Sequence, residues 1–228
     1  YDIFWRPTDQ GTLIPFLTSF SGRYGMQSAE VCADSGYGSE QNYAHMFGLG
    51  IVPYVKYNMF HAEDHRKYRN NPFLIQNMYY NVDEDYYVCP MGQHLVHIGD
   101  VKSKSDLGYE STVSRYRAQN CTGCPLRGMC YKGMSDRRII EVNHRANAYR
   151  SEAKRLLTSE RGLYHRSNRP IEPEAVFGDI KQNHGFKRFK LKSNTKVKVE
   201  FGLVALAHNL RKYIAVERMR SNAVSSCL

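Results

Sequence analysis

The chain has 228 residues, 42% of them hydrophobic and 12% aromatic, which is enough for a buried core and one to two domains. A formal charge of +10 with a pI near 9.3 points to a polyanionic partner, although an ordinary basic soluble protein has the same balance. No apolar run of roughly twenty residues exists, which excludes a helical membrane span, and Tyr1 to Pro7 lack the charged and apolar regions of a signal peptide. Six Cys are present, four of them clustered mid-chain; without a secretion signal this usage fits metal better than disulfides and implies a cytosolic setting.

In chain order, Ile3 to Trp5 reads as a short strand, so that the sequence starts inside an element and is expected to be a fragment. Pro7-Thr8-Asp9 reads as a helix start with Thr8 or Asp9 as N-cap, and Leu13, Phe16, Leu17 and Phe20 give helical periodicity that Gly22 or Gly25 ends. Glu30 to Ala33 is a short buried strand closed by Asp34 and the turn Ser35 to Gly38. Ser39 caps a helix through Tyr43 and Met46, and Ile51 to Val55 is another strand, with Pro53 arguing for an edge or a bulge. This strand–helix–strand–helix–strand run is a βαβ pattern with Asp34 at the C-terminal end of its middle strand, where parallel sheets place their sites.

From Lys56 the pattern changes. His61 to Asn71 is a surface loop or short helix. Met78 to Tyr80, Tyr86 to Val88 and Val113 to Tyr116 read as antiparallel strands joined by turns at Asn81–Asp85 and Gly99–Gly108, and Arg138 to Val142 as one more strand. A polar helix follows from Arg145 to Leu157. The last helix, Lys196 to Arg218, is apolar almost all round at its centre, Phe201 to Ala207, and is expected to be buried.

The stretch Arg166 to Lys181 reads as a helix start followed by two helical turns. Pro173 suits the first turn, Phe177 and Ile180 fall on one face, and Glu174 and Lys181 lie seven apart, two turns along another stripe. A carboxylate held between arginines and a lysine suits a site where a metal meets phosphate. Asp34 and Glu174, far apart in sequence, form a donor pair of the kind Mg²⁺ takes. Local readings stand beside this: Asp favours strand-end turns, and Glu at a helix N-terminus complements the dipole.

Cys89, Cys121, Cys124 and Cys130, with C-x₂-C and C-x₅-C spacings in the tight group, suit tetrahedral Zn²⁺ or an iron–sulphur cluster; unligated thiols in a small subdomain are the alternative. His94 and His97 are read as surface strand residues. In the basic segment Lys181 to Lys198, Lys187, Arg188, Lys190 and Lys192 alternate with Phe186 and Phe189. The cations suit phosphate, while the two Phe either stack on bases or anchor the segment.

Ala33 to Tyr43, Tyr86 to Gly92, Cys121 to Cys130, Ile171 to Lys181 and Lys198 to Lys212 together resemble DDE transposases of bacterial insertion sequences, over nearly the whole chain. The resemblance implies an RNase H-like core in which three acidic residues bind two divalent ions, Mg²⁺ or Mn²⁺. Asp34 matches the second Asp and Glu174 the Glu. Tyr164, Arg166 or Arg169, Glu174 and Lys181 resemble the family's tyrosine–arginine–glutamate–lysine signature. Glu172 is excluded because it would put Asp179 where the lysine belongs.

The first Asp is unmatched, since Asp2 and Asp9 do not occupy its place. The chain therefore resembles a C-terminal half, expected to be inactive alone. The implied fold is α/β, an RNase H-like core truncated at its N-terminus and carrying a β-rich Cys-containing insertion. Residues 1–56 and 144–228 would belong to the core and 57–143 to the insertion. Asp34, Glu174, Arg169 and Lys181 would be catalytic, and Arg166, Lys187, Arg188, Lys190 and Lys192 would bind DNA. The implied partners are transposon ends and target DNA, with a homodimer in the intact protein and a cytoplasmic, nucleoid-associated location. An inactive DNA-binding remnant and an RNase H-like nuclease are the alternatives.

Overall fold

In the computed structural model of the protein, the described residues are 1–6 and 8–225, the side chains of 172, 173 and 222–225 aside. They form two compact units, Leu13–Leu163 and Tyr1–Thr12 with Tyr164–Leu228. The secondary structure is mixed α/β, and most of the strand pairing is antiparallel.

In the larger unit, α1 (Leu13–Tyr24) buries Leu13 and Leu17 and ends at Gly25, whose φ of 65° supplies the left-handed residue a helix end favours. Strand β1 (Glu30–Ala33) leads through a short 3₁₀ turn into α2 (Glu40–Gly48), where Ser39 accepts a hydrogen bond from Asn42 N as the N-cap. Strand β2 (Val52–Val55) then pairs parallel to β1, with Ala33 opposite Val55. Pro53 is tolerated because β2 is an edge of this two-stranded sheet. One core gathers Leu13, Leu17, Tyr43, Met46, Val55 and Leu157. Tyr43 donates to the Val55 carbonyl at 2.7 Å, which satisfies its hydroxyl, and burial pushes its pKa well up.

After the four-residue α3 (Arg66–Arg69), the chain builds a five-stranded antiparallel sheet in sequential order: β3 (Tyr79–Asn81), β4 (Tyr86–Val88), β5 (His94–Lys104), β6 (Glu110–Ala118) and β7 (Ile139–Val142). The expected turn at Gly99–Gly108 is corrected here. Strand β5 runs on to Lys104 through a bulge at His97/Gly99, where Gly99 takes φ 125°. Glycine reads as a breaker, yet a bulge consumes that freedom without ending the ladder.

A polar network surrounds the buried Tyr116 of this sheet. Asp85, at a left-handed φ of 51°, accepts from Tyr116 at 2.7 Å and Tyr80 at 2.8 Å, and Tyr116 also meets His144 Nε2 at 2.8 Å. Burial alone would raise the Asp85 pKa, but the two hydroxyls, together with the nearby His97 and His144, outweigh it and hold the carboxyl below its ordinary range. Tyr116→Phe is expected to cost about 0.5–1.5 kcal/mol in urea unfolding at neutral pH, because the Asp85 side chain is 44% exposed and water can replace the lost donor. Because the folded-state pKa of Asp85 is depressed, this stabilisation is present above the unfolded pKa and lost as pH falls through the folded one. A deficit that stays constant down to acid pH would refute the Asp85 partnership.

The short α4 (Arg127–Cys130) lies between β6 and β7, and α5 (His144–Thr158) follows β7 with Asn143 as N-cap. Helix α6 (Glu160–Asn168) starts after Ser159. Gly162 sits so close to the end of α5 that an added Cβ would lie 2.1 Å from the Leu156 carbonyl oxygen.

In the smaller unit, α7 (Ile171–Gly178) runs into a π-turn, Asp179–Asn183, and α8 (Asn194–Ser225) closes the described chain. Residues 1–6 form no strand, which corrects the first expected element. Tyr1 donates to the Lys198 carbonyl at 2.8 Å and Asp2 pairs with Lys198 Nζ at 3.0 Å, so this segment lies along α8. Helix α8 is also not buried as expected. Leu203, Leu206 and Leu210 are 64%, 56% and 53% exposed. An all-round apolar pattern buries a helix only where neighbours exist to cover it. Among the described residues no helix is long and apolar enough to cross a membrane.

Candidate functional site

Asp34 directly follows β1, at the C-terminal end of a parallel strand, and is exposed. Its Oδ1 accepts from Ser35 N at 2.8 Å and its carbonyl from Tyr37 N at 3.0 Å, which caps the 3₁₀ turn Ser35–Tyr37. Gly38 then passes against the chain leaving β2, where a Cβ would lie 2.2 Å from the Lys56 carbonyl oxygen. The Asp-Ser-Gly-Tyr-Gly run is thus a turn pressed onto the end of the parallel pair, with its carboxylate at the strand end.

Six residues on, Glu40 escaped the sequence reading. Its side chain is 9% exposed and joins three elements: it accepts from Asn143 Nδ2 at 2.6 Å, from Arg145 Nε, and from Tyr109 at 3.4 Å. The only local signal was its place after the Ser39 cap. Its partners come from more than sixty residues away in the chain.

Glu174 lies in the smaller unit, exposed on α7. Lys181 falls in the π-turn with its Nζ 5.9 Å from the Phe177 ring centroid, a loose cation–π contact. His184 N bonds to Asp179 O across five residues, so the 3.6-residue register does not carry through from α7. The expected shared face of Phe177 and Ile180 splits accordingly: Ile180 is 3% exposed and Phe177 48%. The two-turn stripe expected for Glu174 and Lys181 loses its regular basis for the same reason.

Asp179 holds this turn. Asn183 Nδ2 donates to it at 2.7 Å, and His184 and His208 each approach Oδ2 at 3.1 Å. The Asn183 amide first, and then the His208 and His184 imidazoles, keep the Asp179 carboxyl below its ordinary range, against the opposing effect of burial. His184 in turn meets Arg211 of α8. Arg166 lies in the last turn of α6, and Arg169 follows the helix with its N–H bonded to the His165 carbonyl at 2.9 Å. Tyr164 is 57% exposed, its ring edge-on to His165.

Lys187, Arg188, Lys190 and Lys192 are exposed on the segment that leads into α8. The Phe186 and Phe189 rings, 5.4 Å apart, each lie 6.2 Å from the Phe201 ring of α8. The Glu200 carboxylate accepts from Lys190 N and Leu191 N at 2.9 Å. Two aromatics and one carboxylate therefore pin the backbone while the cations project outward.

Cys89, Cys121, Cys124 and Cys130 line one cavity of about 230 Å³ in the larger unit. Among the described residues no three or more His, Cys, Asp or Glu side chains are arranged to hold a metal ion.

The family model described as a transposase DDE domain matches residues 88–214, a span that contains the cysteines, Glu174, Lys181 and the basic segment and begins after Asp34. No curated protein and no solved structure matches the chain.

Proposed function

We propose, for a chain that belongs to the transposase DDE domain family, that it takes part in DNA strand cleavage and transfer at the ends of an insertion sequence. In this reading residues 1–56 and 144–228 contribute to an RNase H-like core and 57–143 interrupt it. The five-stranded sheet falls within that interruption. The single observation that carries the reading is the family match across both the Cys segment and the Glu174–Lys181 stretch.

Asp34 and Glu174 would hold divalent ions, Mg²⁺ or Mn²⁺. Both are exposed carboxylates, the hard oxygen donors such ions take, and Asp34 ends a parallel strand as such sites require. When bound, the ions would activate the attacking oxygen and stabilise the leaving one of a phosphodiester. Arg169 and Lys181 would steady phosphate charge beside them. Arg166, Lys187, Arg188, Lys190 and Lys192 would neutralise backbone phosphates of the transposon end or target, with no sequence information of their own. A homodimer, and a bacterial cytoplasm with the protein on the nucleoid when DNA-bound, complete the reading.

A labelled duplex carrying the terminal repeats tests this. A polypeptide with all three family carboxylates should nick it at the repeat end with Mg²⁺ and not with chelator; intact DNA under both conditions would favour a DNA-binding remnant.

The basic segment has its own test. Replacing Lys187, Arg188, Lys190 and Lys192 together by Ala should weaken duplex binding at every sequence. It should also flatten log Kd against log salt by about 0.9 for each phosphate that is no longer neutralised, which amounts to about 3–4 in slope. Fluorescence anisotropy over a salt series reads this, and an unchanged slope would remove the segment from the interface.

A further inference from the structure

We propose a structural Zn²⁺ site that forms on metal binding, in which the thiolates of Cys89, Cys121, Cys124 and Cys130, which line one cavity, clamp one end of the five-stranded sheet. The antiparallel order puts the C-terminal ends of β4 and β6 and the N-terminal end of β7 at the same end of that sheet. Cys89 directly follows β4, Cys121 to Cys130 follow β6, and Arg138 directly precedes β7. The four thiols, remote in sequence, share the walls of one cavity, and none forms a disulfide.

The local backbone is shaped for ligation. In Cys121-Thr-Gly-Cys124, Cys124 N bonds to Cys121 O at 3.3 Å and Gly123 takes φ 69°, a tight turn that keeps two thiols on one side. In Cys89-Pro-Met-Gly-Gln93, Gly92 N bonds to Cys89 O at 2.8 Å with φ 75° at Gly92. These positive φ values are where glycine is needed.

Arg138 supplies the second observation. Its backbone N–H faces Cys121 Sγ at 3.5 Å and its Nη1 donates to Cys130 Sγ at 3.1 Å, while Nη2 holds the Phe73 carbonyl at 2.8 Å. A guanidinium and an N–H aimed at two of four clustered sulfurs are what a doubly negative tetrathiolate centre requires around it.

The segment between β6 and β7 has only the four residues of α4 as regular structure, and none of its residues reaches full burial. Such a loop lacks a core of its own, and a metal replaces the missing apolar contacts. The sulfurs line the cavity without closing on one point, so binding draws the 121–130 loop inward and displaces Arg138 Nη1 from direct contact to an outer partner. A C-x₂-C turn joined to two further thiolates is a donor set that tetrahedral Zn²⁺ takes.

The test uses the full chain, purified without chelator. Elemental analysis should give about one Zn per chain, and Co²⁺ added to the metal-free protein should give the intense thiolate charge-transfer absorption of a tetrahedral site. Cys124→Ser should abolish that absorption, Arg138→Ala should weaken Co²⁺ binding about tenfold, and Cys32→Ser, outside the cavity, should change neither. If Cys124→Ser fails to fold, the Arg138→Ala titration still decides. Iron with acid-labile sulphide in place of zinc, or a folded protein that takes up neither Zn²⁺ nor Co²⁺, would overturn the assignment.

Discussion

Glu174→Gln is expected to reduce strand cleavage at least about a thousandfold while leaving DNA affinity and stability intact. The substitution is nearly isosteric and removes only the negative charge and its capacity to hold a divalent cation. Glu174 is exposed on α7, so its replacement should move stability by no more than about 0.5 kcal/mol. DNA binding depends on cations that the change does not touch. The measurement is cleavage of a labelled transposon-end duplex by a polypeptide with all three family carboxylates, beside an anisotropy titration of the same variant. Cleavage at the wild-type rate would sink the assignment of Glu174. Loss of binding in parallel with cleavage would mean that the residue acts through the interface instead.

Gly38→Ala should destabilise the larger unit by about 3 kcal/mol, for a reason confined to one close approach. The new methyl would sit 2.2 Å from the Lys56 carbonyl oxygen and 2.7 Å from the Tyr57 Cα, both backbone atoms that no rotamer change can move. Tyr57 is buried at 3% exposure, which leaves that side nowhere to retreat. Relief therefore has to come from the turn that carries Asp34, so lower stability and a displaced carboxylate are expected together. Gly36→Ala is the control, because nothing lies within 4 Å of its Cβ position and φ there is not positive. Urea unfolding of both variants reads the difference, and equal stabilities would mean that the turn is free to lift off β2.

The candidate site was legible in the sequence where the signals are local. A Ser39 cap, the Ile51–Val55 run with its proline, and a polar turn after Glu30–Ala33 place Asp34 at the end of a parallel strand without any knowledge of partners. The Glu174-to-Lys181 spacing singles out one glutamate only against the signature of the family that the chain resembles. What spacing did not convey is the π-turn that follows Gly178. In that turn Asp179 meets His208, twenty-nine residues later, as well as the nearby Asn183 and His184, and the contact with His208 has no local signature. Glu40 was missed for the same reason, as its partners Tyr109, Asn143 and Arg145 are brought to it only by the five-stranded sheet and α5.

The fold divides along the same line. The Ser39 cap, the turn after Ala33, the α1 and α2 periodicities and the cysteine spacing act over a few residues, and the sequence by itself determined them. The cap expected at Thr8 or Asp9 did not hold, since α1 starts only at Leu13. Tertiary structure decided whether an extended or apolar segment found a neighbour. Ile3–Trp5 has strand composition but forms no ladder, because the residues before it bond to α8. Strand β5 passes through Gly99 because β6 takes up the ladder again beyond the bulge, which outweighs one glycine's preference. Helix α8 carries the pattern of a buried helix and stays largely exposed, because burial is a property of the pair of surfaces that meet and its sequence specifies only one of them.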